Sequence, residues 1–170
     1  MTDGFSPPGE IGEIVAQSDQ IMREYWRNPG ATAESFAGGW LHTRDMGYMD
    51  EDGYVFLVDR KGDMIVSGGF NVYPKEVEDV LYMHPAVLEA AVFGIPDPKW
   101  GETVKAAVAL KKGMTATEDD MIEFCRQHLA GYKKPTSIDF IDSLPKNANG
   151  KIMRKDLKEA YWQGKARKIN

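Results

Sequence analysis

Lys151 ends the run Pro145-Lys146-Asn147-Ala148-Asn149-Gly150-Lys151, a polar, glycine-containing loop ahead of a basic stretch. A phosphate-binding loop needs a glycine where Pro145 stands and a Ser or Thr after the lysine, so that pattern fails. A lysine on such a loop can still place its ammonium beside a phosphate or a developing carboxylate charge, and it can equally be a solvated surface lysine. Asp45 and Arg60 bracket a hairpin. A carboxylate accepts from the vicinal hydroxyls of a ribose and a guanidinium donates to them, so this pair could grip a nucleotide sugar or form a plain surface ion pair. Gly68 and Gly69 allow a close backbone approach to a ligand or a tight turn. His42, His84 and His128 have no partner at metal spacing, and no Ser, His and acid set is in view, so neither a metal site nor a triad is predicted.

Three zones must position these residues. The first, to about Lys61, reads as mostly β: a strand at 11–15, a short helix at 31–36 entered from Asn28-Pro29-Gly30, and two strands around a turn at Asp52-Gly53. The second begins near Asp63 with a strand at 64–66 and a flexible loop at Ser67-Gly68-Gly69. Pro74 opens a helix carrying Val77, Val80 and Leu81 on one face. Strands at 87–94 and 104–110 follow, then a helix capped by Thr117, with Met121, Cys125 and Leu129 as its apolar stripe and Gly131 as its stop. Cys125 on that stripe is a core residue rather than a nucleophile. The third zone is a strand at 138–141, the Lys151 loop and a basic helix at about 153–162. The fold class is α+β, with a boundary near residues 60–62.

With 170 residues, 42% of them hydrophobic and 28% charged, the chain has globular composition, which excludes general disorder. A net charge of -5 argues against a nucleic-acid binder. One cysteine excludes an internal disulfide and a cysteine-rich zinc site. No apolar run approaches the roughly 18 residues of a membrane span, and Met1-Thr2-Asp3-Gly4 has no leader character, so the expected address is the cytoplasm. From Lys146 onward the chain carries +6 and the remainder -11, an asymmetry that fits either a solvated basic helix or a polyanion site.

In chain order, Pro8-Gly9-Glu10-Ile11-Gly12-Glu13-Ile14, Gly39-Trp40-Leu41-His42-Thr43-Arg44-Asp45, Asp59-Arg60, the run from Asp63 through Ser67-Gly68-Gly69-Phe70-Asn71 to Pro74, Gly131-Tyr132-Lys133-Lys134-Pro135 and the Lys151 loop stand as a set. This set resembles the C-terminal part of AMP-forming acyl-CoA synthetases, the fatty-acid:CoA ligases of the adenylate-forming superfamily, over essentially the whole chain.

The resemblance implies a β-rich remnant (1–60) of a large N-terminal adenylation domain, followed by a mobile C-terminal α+β domain (61–170). It implies that ATP, with Mg²⁺, activates a carboxylic acid and that CoA receives the acyl group. Lys151 would be the catalytic cation of adenylation, and Asp45 and Arg60 would hold the ribose of ATP or AMP. Gly68 and Gly69 would line the CoA tunnel, Trp100, Tyr132 and Lys134 would contact the CoA nucleotide, and Lys61-Gly62 would be the hinge. The phosphate loop, acyl pocket and magnesium ligands would belong to the N-terminal domain, the expected partner, so the chain alone should be inactive. The family's Thr-Gly-Asp is Thr43-Arg44-Asp45 here, and Gly62 stands where the family has Asp or Lys. Two other readings are a non-catalytic CoA- or partner-binding module and a polyanion-binding tail.

Overall fold

The computed structural model describes residues 4–164 and divides the chain into two compact units, one ending at Gly62 and the other beginning at Asp63. The Lys61 amide donates to the Arg44 carbonyl at 2.8 Å, which keeps Lys61 on the first unit's ladder.

The first unit contains β1 (Gly12–Ala16), α1 (Pro29–Ser35), a 3-10 turn (Ala37–Gly39), β2 (Leu41–Met49) and β3 (Val55–Arg60). The strands form an antiparallel sheet in the order β1-β2-β3. Asn28 caps α1 by accepting from the Ala31 amide, and Pro29 occupies its first turn. Between β2 and β3 the Asp50 carboxylate accepts from the amides of Asp52 and Tyr54, and Gly53 supplies a positive φ. Gly47 is required by close approach, since a Cβ there would lie 2.6 Å from the Phe56 carbonyl oxygen. Among the described residues of this unit only Ser35 and Gly47 are buried. Many of its apolar side chains are exposed, Trp26 by 80% and Leu57 by 72%, and others such as Ile14 and Leu41 are only half-buried.

The second unit has the opposite character. It runs β4 (Ile65–Ser67), β5 (Phe70–Val72), α2 (Pro74–Met83), β6 (Val87–Asp97), β7 (Gly101–Leu110), α3 (Glu118–His128), β8 (Ser137–Phe140) and α4 (Arg154–Trp162). The sheet order is β5-β4-β7-β6, with β8 added in parallel to β7. On one face Val77 and Leu81 of α2 and Met121 and Cys125 of α3 pack with Ile65, Val92, Val104 and Val108. On the other, Ala91, Phe93, Ala107 and Leu144 meet Ile152 and the α4 residues Leu157 and Tyr161. Both faces are covered, which is why the middle of β6 and nearly all of β7 is buried without alternation.

The outer edge of β6 is closed by side chains. Tyr82 Oη accepts from the Ala90 amide, Glu78 Oε1 accepts from the Val92 amide at 2.8 Å, and Trp162 Nε1 donates to the Gly94 carbonyl at 2.9 Å. Those groups would otherwise be an open template for another strand.

Several elements differ from the sequence reading. The segment Ser67-Gly68-Gly69 is not a flexible loop: its glycines are the two-residue turn of a hairpin whose second strand, β5, the sequence pattern does not reveal. Helix α3 ends at His128, and Leu129 is its extended cap rather than its last turn, so the stop precedes Gly131. Strands β6 and β7 run on to Asp97 and back to Gly101, since their ladder continues to the Asp97 and Gly101 pair.

Candidate functional site

Asp45 and Arg60 are direct cross-strand partners on β2 and β3, and Arg60 Nε donates to Asp45 Oδ1 at 2.8 Å. Both side chains retain substantial exposure, so the pair contributes only about 0–1 kcal/mol to stability. The backbone that carries Asp45 is pinned more firmly. Thr43 Oγ1 donates to the Ile14 carbonyl at 2.7 Å and accepts from the Asp45 amide at 3.1 Å. Between them Arg44 sits at φ 62, the left-handed region that glycine adopts freely. Its guanidinium reaches Glu34 of α1 at 2.6 Å. Glu13 gathers the rest, accepting from Lys61 Nζ at 2.9 Å, His42 Nδ1 at 3.1 Å and the Arg44 amide at 3.2 Å. Partial burial pushes the Glu13 carboxyl up, but the hydrogen bonds and charges of Lys61 and His42 outweigh it and hold the group below its ordinary 4.5.

A second cluster lies wholly within the second unit. Gly68 and Gly69 have φ 58 and 86, the signs a type I′ turn demands at both central positions. The Gly68 amide donates to the Trp100 carbonyl at 2.9 Å, and the Trp100 indole lies against the turn. Asp97 sets that tryptophan by accepting from the amides of Lys99 and Trp100, both at 2.8 Å. The Lys99 ammonium stands over the indole, 4.5 Å from its centroid. Phe70 and Tyr132 stack at 4.7 Å. Gly68, Phe70, Trp100 and Tyr132, with Thr103, Lys134 and Thr136, line a cleft of about 270 Å³. Aromatic faces and the Lys134 ammonium in one cleft suit a planar group that carries phosphate.

Lys151 does not line that cleft. It ends a loop closed at its base by the bridge between Lys146 and Ile152 and by the Met153 amide donating to the Pro145 carbonyl at 2.8 Å. Asn147 Oδ1 accepts from the amides of Asn149 and Lys151 at 3.0 and 2.9 Å, and Gly150 takes φ 77. The backbone is tied, while the exposed Lys151 ammonium makes no hydrogen bond or ion pair with another described residue.

The structure therefore joins Asp45 to Arg60 and gathers Gly68, Trp100, Tyr132 and Lys134 into one cleft. Gly69 turns the hairpin without lining that cleft, and Lys151 does not line it either. Lys61 and Gly62 close the first unit. Phe70, Lys99, Thr103 and Thr136 escaped the sequence reading; only the position of Phe70 directly after the two glycines hinted at a strand there. In the basic end, Lys146 is paired with Glu89, Arg154 with Glu78 and Lys158 with Asp63, so much of its charge is neutralised locally. Lys165, Arg167 and Lys168 lie outside the described residues. Among the described residues no three His, Cys, Asp or Glu side chains come together as a metal set, and no helix is long and apolar enough to cross a membrane.

Residues 76–151 match the AMP-binding enzyme C-terminal domain family. The chain is 48% identical over 164 residues to a fatty acid–acyl-carrier-protein ligase of Streptomyces coeruleorubidus, covering 96% of this chain and 32% of that protein. It is 49% identical over 158 residues to the long-chain-fatty-acid–CoA ligase of Bacillus subtilis, covering 93% and 28%. In three dimensions it superposes on o-succinylbenzoate CoA synthetase from Bacillus subtilis, solved with an acyl-adenylate intermediate. That match has a TM-score of 0.83 and 42% identity, over 90% of this chain and 31% of that one. The fold is that of the adenylate-forming ligases. In sequence and fold the chain corresponds to the C-terminal part of these ligases, and it spans about a third of the length of the relatives it matches.

Proposed function

We propose that the chain supplies the C-terminal part of an acid:CoA ligase that activates a carboxylic acid of the fatty-acid class with ATP and passes the acyl group to CoA. In the first step the carboxylate attacks the α-phosphorus and pyrophosphate leaves; in the second the CoA thiol attacks the acyl carbonyl and AMP leaves. The observation that carries this reading is Lys151, an exposed ammonium with no partner among the described residues, at the end of a loop whose backbone is already tied by Asn147. Negative charge gathers on the reacting oxygens as pyrophosphate departs, and a cation delivered there without prior reorganisation stabilises it.

Asp45 and Arg60 are assigned to the ribose hydroxyls. Their exposed pair can exchange one mutual hydrogen bond for two to a sugar at little cost to the fold. Gly68, Trp100, Tyr132 and Lys134 are assigned to CoA, with the Gly68-Gly69 turn placing backbone rather than side chains beside the pantetheine. Lys61 and Gly62, at the boundary of the two units, are assigned as the hinge that lets the Lys151 loop and the cleft act in different steps. Mg²⁺ accompanying ATP would neutralise phosphate charge. Its protein ligands are assigned to the N-terminal part of the ligase, as the family resemblance implies.

The coreless first unit supports that partner. A sheet whose Val55, Phe56 and Leu57 are all exposed is suited to burial against something larger. The names of the first two relatives support the fatty-acid class, and the single buried thiol of Cys125 suits the cytoplasm. Separate assay of the half-reactions tests the assignment: Lys151→Ala should lower adenylation by about 10²–10³-fold, while thioester formation from supplied acyl-adenylate stays within about threefold.

A further inference from the structure

The geometry points to Arg154 as a positioning residue that ties the Lys151 loop to the first residue of its own unit. The inference rests on the reading of Lys151 as the adenylation cation.

Arg154 is the first residue of α4, three positions after Lys151. A cation there meets the positive end of the helix dipole, so α4 itself gives no reason for it. Two carboxylates do. Glu78 on α2 is only 6% exposed, and Arg154 grips it with Nε to Oε1 at 2.9 Å and Nη2 to Oε2 at 2.6 Å. Such a two-bond fork fixes direction as well as distance. Glu78 is itself immobilised, because Oε1 also accepts the Val92 amide on the closed edge of β6. The remaining nitrogen, Nη1, reaches Asp63 Oδ2 at 3.4 Å, and Lys158 stands 4.0 Å from Asp63 Oδ1.

Asp63 opens the second unit directly after Gly62. One guanidinium therefore joins the start of the unit, a buried carboxylate and the root of the loop. The loop base is short and closed by the Lys146 and Ile152 bridge and the Met153 to Pro145 hydrogen bond, so a displacement at residue 154 passes to residue 151. When the backbone turns at Lys61-Gly62, Asp63, Arg154 and the Lys151 loop turn as one piece.

Amide exchange in the 170-residue chain tests the tie without any assay of activity. In Arg154→Met the amides of Asn149 and Lys151 should exchange at least about tenfold faster, with those of Leu81 and Val108 unchanged, and Lys155→Met should leave all four within about twofold. If Arg154→Met does not fold, Arg154→Lys carries the test, with an expected acceleration of about threefold at the same two amides. Wild-type exchange at Asn149 and Lys151 in a folded variant would overturn the proposal.

The second arm is kinetic, with the N-terminal part of the Bacillus subtilis ligase supplied as a separate chain. Arg154→Lys should lower the adenylation kcat about tenfold, leave KM for ATP within about twofold and spare thioester formation from supplied acyl-adenylate. Equal loss of both half-reactions would make Arg154 a general structural residue and contradict a positioning role. If Lys151→Ala left pyrophosphate release intact while the exchange rates behaved as stated, the reading of Lys151 would fall and the tie between Arg154 and the loop would stand.

Discussion

A Cβ on Gly68 would lie 2.7 Å from Cε3 of Trp100, so the indole occupies the space that any side chain at position 68 would need. Gly69, at φ 86, has open space where its Cβ would be. The two glycines thus separate by experiment. Gly68→Ala should displace Trp100 and weaken CoA binding by about tenfold or more, while Gly69→Ala should cost about 1 kcal/mol of stability through backbone strain and leave Trp100 in place. Calorimetric titration with CoA, alongside Trp100 fluorescence, distinguishes the two outcomes; equal weakening by both variants would remove Trp100 from the account.

Arg44 holds a left-handed conformation at φ 62 for the sake of an exposed pair with Glu34. The strain costs about 1–2 kcal/mol and the pair returns about 0–1. Arg44→Gly should therefore stabilise the first unit by about 1 kcal/mol in urea unfolding. A loss of stability would mean that the guanidinium does more than pair with Glu34.

Asp139 anchors α4 to the sheet. Lys105 Nζ lies 2.8 Å from one of its oxygens, and the Tyr161 hydroxyl donates to the other at 2.5 Å. Burial pushes the Asp139 carboxyl up, yet the hydrogen bonds from Lys105 and Tyr161 outweigh it and hold the group below its ordinary 3.8. A carboxyl lowered on folding contributes stability that is complete above that ordinary value and disappears as pH falls through the lowered one. The docking of α4 should accordingly weaken below about pH 3.8 in the wild type, and at neutral pH in Asp139→Asn. Proton exchange at the Trp162 indole, which donates to Gly94, reports it. An indole protected equally in Asp139→Asn would show that packing alone holds the helix.

Cys125 is fully buried, and that burial pushes its thiol up to about 11. A thiol reagent at about pH 8 should leave it unmodified in the folded chain and modify it on denaturation. Rapid labelling of native protein would place the residue outside the core described above.

Much of this arrangement is readable from local pattern. Thr117 announces α3, since its hydroxyl and the Asp120 carboxylate form a reciprocal cap within four residues. Pro74 marks the start of α2 in the same way, and Asp45 and Arg60 could be paired because a hairpin joins them. The pairs that hold the second unit together are of another kind. Arg154 and Glu78 are 76 residues apart, and any of several cations near the end of the chain could have met that carboxylate. Likewise β5 is three residues long, too short for period to reveal, and exists because two glycines fold it back onto β4. Phe70 and Tyr132 stack only after that hairpin has formed.

The most direct measurement is pyrophosphate release with ATP, Mg²⁺ and a panel of carboxylic acids, comparing the chain alone with the chain plus the N-terminal part of a related ligase. Turnover that appears only in the mixture, favours fatty acids and disappears with Lys151→Ala is the expected result. Turnover in the mixture that survives Lys151→Ala would contradict the central claim.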